Sequence, residues 1–78
     1  MKVQILGTGC PKCKKLAANA EEAIANAGVD AQIEKVEKLT EIMNFGVMST
    51  PALAIDGEVK SAGKVLSAEQ IQQILEGE

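Results

Sequence analysis

The chain has 78 residues, a net charge of −3, two cysteines and no histidine. That length is expected to form one domain over residues 1–78, with a thin core that buries roughly 60 % of the surface its unfolded chain exposes. The acidic balance argues against nucleic acid as the main partner, the single aromatic residue Phe45 offers no base-stacking platform, and the missing imidazole excludes Ser–His and Cys–His pairs and histidine metal ligation.

Val3, Ile5 and Leu6 form a short apolar run from Lys2, closed by Gly7-Thr8-Gly9, which predicts a buried first strand ending in a loop. From Pro11 the pattern turns helical: Cys13, Leu16, Ala17, Ala20, Ile24 and Ala27 recur at three- and four-residue steps, predicting a helix from Pro11 to about Ala27 with an alanine-rich core face. Pro11 suits its first position and Gly28 the position past its end. Val29 to Val36 alternates and predicts a second, more exposed strand, joined to the first by a right-handed parallel crossover. Leu39, Ile42 and Met43 predict a short second helix closed by Gly46, and Val47 to Pro51 a loop.

Ala52-Leu53-Ala54-Ile55 is a compact buried run. Asp56-Gly57 after it is a strong hairpin signal, so Glu58-Val59-Lys60 should return as an antiparallel edge strand. Ser67 with Gln70 three residues on makes a capping box, with Leu66 and Ile71 placed as a hydrophobic staple. Ile71, Ile74 and Leu75 give the last helix one apolar face. The predicted order is βαβαββα, an α/β domain whose four-stranded mixed sheet is flanked by three helices.

Both cysteines lie in Cys10-Pro11-Lys12-Cys13, between the first strand and the longest helix. The first sulfur therefore sits at a helix N-terminus, where unpaired N–H groups and the positive end of the macrodipole favour a thiolate. A thiolate attacks disulfides. The second sulfur, one turn on and facing the sheet, should stay protonated until it attacks the resulting mixed disulfide. Pro11 stiffens the loop between the two. Lys12, Lys14 and Lys15 surround the pair and serve either as a solvated helix face or as electrostatic support for the thiolate. A purely structural disulfide in so small a ring would be a poor staple.

A first strand ending in Cys-x-x-Cys, a βαβ crossover and a Thr50-Pro51 opening a hairpin before the last helix together resemble the thioredoxin and glutaredoxin superfamily in its minimal thioredoxin-like form. Gly7 to Cys13 is similar to the opening of the small redox-active disulfide proteins. The resemblance implies a thiol–disulfide oxidoreductase and electron carrier, with Cys10 as nucleophile and Cys13 as resolving thiol. It implies a cis Pro51 against the sulfurs, with Thr50 and Met48 lining the approach to Cys10, and a strand order of second, first, third, fourth.

Pro11 and Lys12 between the cysteines depart from the Gly-Pro of thioredoxins proper, which also have Trp where this chain has Gly9. The region Ser61 to Leu66 lacks the Gly-Gly and acidic segment through which glutaredoxins hold glutathione. The buried acid of thioredoxins has no counterpart in the first strand, where Gln4 is the polar candidate. Met43 and Met48 are read as core or gap fillers rather than ligands.

On these grounds no cofactor is expected beyond the redox-active Cys10–Cys13 pair, and no metal. Disulfide-containing proteins are the expected targets and a flavoenzyme of the thioredoxin reductase type the expected donor. No apolar run reaches the ~18 residues of a membrane span, and no secretory leader precedes Lys2, so a cytoplasmic monomer is expected. The alternative is a heavy-metal-associated domain that carries Cu(I) on the two thiolates; such domains end in a strand, where Ser67 to Glu76 has a helical pattern.

Overall fold

The structure is a computed structural model and describes residues 1–77. It contains β1 (Lys2–Leu6), α1 (Pro11–Ala27), β2 (Gln32–Val36), α2 (Leu39–Asn44), β3 (Ala52–Ile55), β4 (Glu58–Ala62) and α3 (Ala68–Glu76). The four strands form one sheet in the order β2-β1-β3-β4. β1 and β2 are parallel, from Lys2 opposite Gln32 to Leu6 opposite Val36, and the other two pairings are antiparallel. The minimal α/β thioredoxin-like arrangement expected from the sequence is the one found.

Alternation along the strands divides the core in two. Val3 and Ile5 of β1 and Leu53 and Ile55 of β3 face one side, where they meet Leu16, Ala17, Ala20 and Ala23 of α1 and Ile71 and Leu75 of α3. Leu6, Ala52 and Ala54 face the other together with Val36 of β2, where Ile42 and Val47 cover them. Alanines on α1 let its axis lie close to the sheet. Asn19 fastens the helix to the segment before α3 by donating from Nδ2 to the Leu66 carbonyl at 2.9 Å.

Helix ends follow the chemistry of their residues. Gly28, at φ 67°, turns left-handed and its N–H bonds the Ile24 carbonyl, ending α1. At α3 the box closes both ways: Ser67 Oγ accepts from Gln70 N–H at 3.1 Å and Gln70 Oε1 from Ser67 N–H at 2.9 Å. Leu66 packs against the cluster that contains Ile71, as a staple requires. The hairpin turn holds Asp56 at φ 50° and Gly57 at φ 86°, the left-handed pair that matches the twist of its strands.

Some boundaries and placements differ from the sequence reading. β2 begins at Gln32 rather than Val29, because β1 starts at Lys2 and residues 29–31 have nothing to pair with. β4 continues to Ala62, where the bonding of Pro51 with Gly63 extends the hairpin; Leu53 opposes Ser61 and Ala54 opposes Val59, so Lys60 is the extra residue of a bulge. On α1, Ala23 is buried while Ile24 and Ala27 are only half-buried, since the helix rolls its small residues onto the sheet. Met43 is 63 % exposed and Met48 fully exposed, so neither fills the core. Residues 68–76 form a helix, not the closing strand that a heavy-metal-associated domain has. No described helix is long and apolar enough to cross a membrane.

Candidate active site at the start of the longest helix

Three segments converge on the cysteines: the end of β1, the N-terminus of α1, and the loop leading into β3. Cys10 is the N-cap of α1, with extended backbone angles of φ −68° and ψ 164°. Its sulfur accepts the N–H of Cys13 at 3.3 Å, the bond that a serine or aspartate oxygen makes at ordinary helix starts. Pro11 follows at the first helical position, where a missing N–H leaves nothing unsatisfied. Cys13 falls in the first turn and turns inward to 5 % exposure, while Cys10 remains part-exposed.

Both thiols are free, and their sulfurs lie 2.6 Å apart. Their environments push them in opposite directions. The Cys10 thiol is lowered from its ordinary value, first by the hydrogen bond with the Cys13 side chain and then by the Cys13 N–H, with Lys12 N–H acting in the same sense. The Cys13 thiol is raised, first by burial and then by its bond to Cys10. Once Cys10 ionises, the Cys13 thiol is the group left to donate to it, so a proton held by the inner sulfur would solvate the charge on the outer one. The largest causes of the lowering are these bonds at the helix start. Lys12, Lys14 and Lys15 are exposed.

The Thr50–Pro51 bond is cis. Pro51 is buried and its carbonyl accepts from Gly63 N–H at 2.8 Å, which fixes the loop to the end of β4. Thr50 approaches the end of β1 beside Cys13. It also ends a surface groove of about 320 Å³ formed with Leu39, Ile42, Met43, Val47 and Met48. The structure therefore brings Thr50 close to Cys13, sets Met48 on the adjoining groove and buries Pro51 next to Thr50 in the chain.

Gln4 is not near the thiols. It lies on the α2 side of the sheet, donating to Glu34 at 3.0 Å and accepting from Gly57 N–H at 2.8 Å near the hairpin turn. Two charged residues outside the expected site border it instead, Lys35 on the second strand and Glu37 just past its end. Lys35 and Glu37 line a cavity of about 60 Å³ together with Cys13, Lys14, Ile5 and Ala17. Strand parity carried the signal for Lys35, because it shares the α1-facing side of β2 with Ile33. For Gly7 the sequence pattern indicates only a loop after the first strand.

Residues 1–76 match a family model described as Thioredoxin domain. A thioredoxin of Methanothermobacter thermautotrophicus is 47 % identical over 75 residues, covering 96 % of this chain and 97 % of that protein. A thioredoxin of Methanocaldococcus jannaschii is 40 % identical over 73 residues, covering 94 % of this chain and 84 % of its own. The chain belongs to the thioredoxin family. It is a thioredoxin-like disulfide oxidoreductase, and its paired, oppositely biased thiols are what that activity needs.

Proposed function

We propose that the protein carries two electrons to disulfides of proteins or small molecules through the Cys10–Cys13 dithiol. The observation that carries this reading is the opposed bias of two sulfurs within bonding reach: an accessible thiol favoured as thiolate, and a buried one favoured as thiol. The Cys10 thiolate attacks one sulfur of the target; a Cys10–target bond forms, the target disulfide breaks, and its other sulfur leaves as a thiolate that takes up a proton. Cys13 then loses its proton and attacks Cys10. The Cys10–Cys13 bond forms, the second target thiol departs, and the dithiol has given up two electrons.

Around this step Pro11 stiffens the loop, Lys12 offers an exposed cation to an approaching partner, and Thr50, Pro51 and Met48 shape the surface on which the target chain lies. The cysteine pair is the whole redox centre, so the cycle calls for no cofactor of its own, and a flavoenzyme of the thioredoxin reductase type would restore the dithiol. A single domain over 1–78 working as a cytoplasmic monomer fits this role, since reducing compartments keep such thiols in the reactive form.

In a reductase-coupled assay on a protein disulfide, Cys10→Ser is expected to abolish turnover, and retained turnover would remove Cys10 from the role given to it. Cys13→Ser is expected to accumulate a covalent adduct with the target, seen as a mass increase that dithiothreitol reverses. Absence of any adduct would assign the resolving role elsewhere.

A further inference from the structure

Gly7 closes β1 in ordinary backbone geometry: it is not among the residues with positive φ, so its conformation alone does not call for glycine. Space does. A Cβ built on Gly7 would fall on the sulfur of Cys13, 3.1 Å from the Cys13 Cβ, with the Thr50 Cβ 4.0 Å away on another side. Carbon contacts are comfortable only from about 3.5 Å. Neither partner can step aside readily. The Gly7 N–H is pinned to the Val36 carbonyl at 3.0 Å, and Leu6 beside it is paired to both β2 and β3. Cys13 is held by its own N–H on Cys10 and by the helix that begins there.

The geometry points to Gly7 as a positioning residue for the resolving step, its missing side chain being the recess that holds the Cys13 sulfur in line with Cys10. This rests on the dithiol exchange proposed above. In that exchange the Cys13 thiolate must displace the target sulfur from Cys10, forming the Cys10–Cys13 bond as the Cys10–target bond breaks. Any side chain at position 7 drives the Cys13 sulfur out of reach of that bond, while Cys10 stays accessible to a target, keeping its backbone hydrogen bonds at the helix start and losing only the support of the Cys13 thiol. Gly9 is the internal contrast. It stands at φ 87°, and a Cβ there would come no nearer than 3.6 Å to a Glu37 carboxylate oxygen, so Gly9 answers a backbone need where Gly7 answers a steric one.

The test follows rapid mixing of the reduced protein with dithiodipyridine, which frees one coloured thione when Cys10 attacks and a second when Cys13 resolves. Wild type showing no second release would defeat the exchange reading itself. With wild type biphasic, Gly7→Ala is expected to lower the ratio of second-phase to first-phase rate by about 10²-fold, the scale of an ångström's misplacement of a reacting atom. A Gly7→Ala ratio equal to wild type overturns the proposal. Should Gly7→Ala fold poorly, a double-mutant cycle decides: in a Cys13→Ala background, which removes the obstructing sulfur, Gly7→Ala is expected to lose most of its effect on the thermal midpoint. An equal drop in both backgrounds places the obstruction somewhere other than that sulfur and also overturns the proposal.

Discussion

The two faces of the sheet are cut from the same strands but closed very differently. On one, α1 and α3 lay two helices over Val3, Ile5, Leu53 and Ile55 along the length of the strands. On the other, the six residues of α2 cover only the end near the cysteines, above Leu6, Val36, Ala52 and Ala54, and the far end is left to Gln4 and Glu34 in water. The first face supplies most of the packing. The second carries exposed Leu39, Met43 and Met48 and the groove that runs to Thr50. A chain this short concentrates its core on one side and covers the other only at the end near the redox pair.

The comparison breaks most readily in the thick layer. Leu53→Ala and Leu16→Ala each empty a wholly buried site between helix and sheet and are expected to lower unfolding free energy by about 2–5 kcal/mol. Denaturant titration checks this, and a loss no larger than that of an exposed leucine such as Leu39 would mean that the two faces do not differ as described. Next comes Ser67→Ala, which opens the capping box that fastens α3 to the thick face; about 1 kcal/mol is expected, read from the same titration.

The sulfurs sit at the junction of the two layers, and their titration gives a smaller, pH-dependent signal. The folded Cys10 thiol lies below its unfolded value. Its contribution is therefore full above the unfolded thiol pKa and is lost as pH falls through the lowered folded value. Cys13 is raised, so its contribution is full below the unfolded value and is lost as pH rises through the folded one. Thermal midpoints of the reduced protein against pH should show Cys10→Ser diverging from wild type as pH rises and Cys13→Ser converging with it. The reverse pattern would exchange the two environments. The smallest stability effect is expected at Met48→Ser, within about 0.5 kcal/mol, because a fully exposed side chain removes no packing. A larger loss would show that the groove is part of the core after all.

Much of this was legible in the chain because it depends on near neighbours. The capping box, the Asp56-Gly57 turn, the Gly28 stop and the placing of Cys10 before Pro11 are all set within a few residues, and each forms as its residue types dictate. The extent of the strands was less so. Val29 to Val36 alternates throughout, yet pairing begins only at Gln32, where β1 can meet it. The roles of Gln4 and Glu37 were equally hidden, and for Lys35 strand parity indicated the α1-facing side but not the cavity. A polar residue on a strand has the same pattern whether it faces water or a cavity beside a cysteine, and only the neighbouring strand and helix distinguish the two.

The residues by themselves determined the order of elements, their caps and turns, and the presence of a dithiol at a helix start, since those follow from backbone propensities and local hydrogen bonds. Tertiary structure alone decided that Gly7 must be bare to admit the inner sulfur, that Lys35 and Glu37 border the same cavity as Cys13, and that Thr50 and Met48 border the same surface. Those are matters of distance between segments remote in the chain, and van der Waals contact and desolvation act only once folding has brought the segments together.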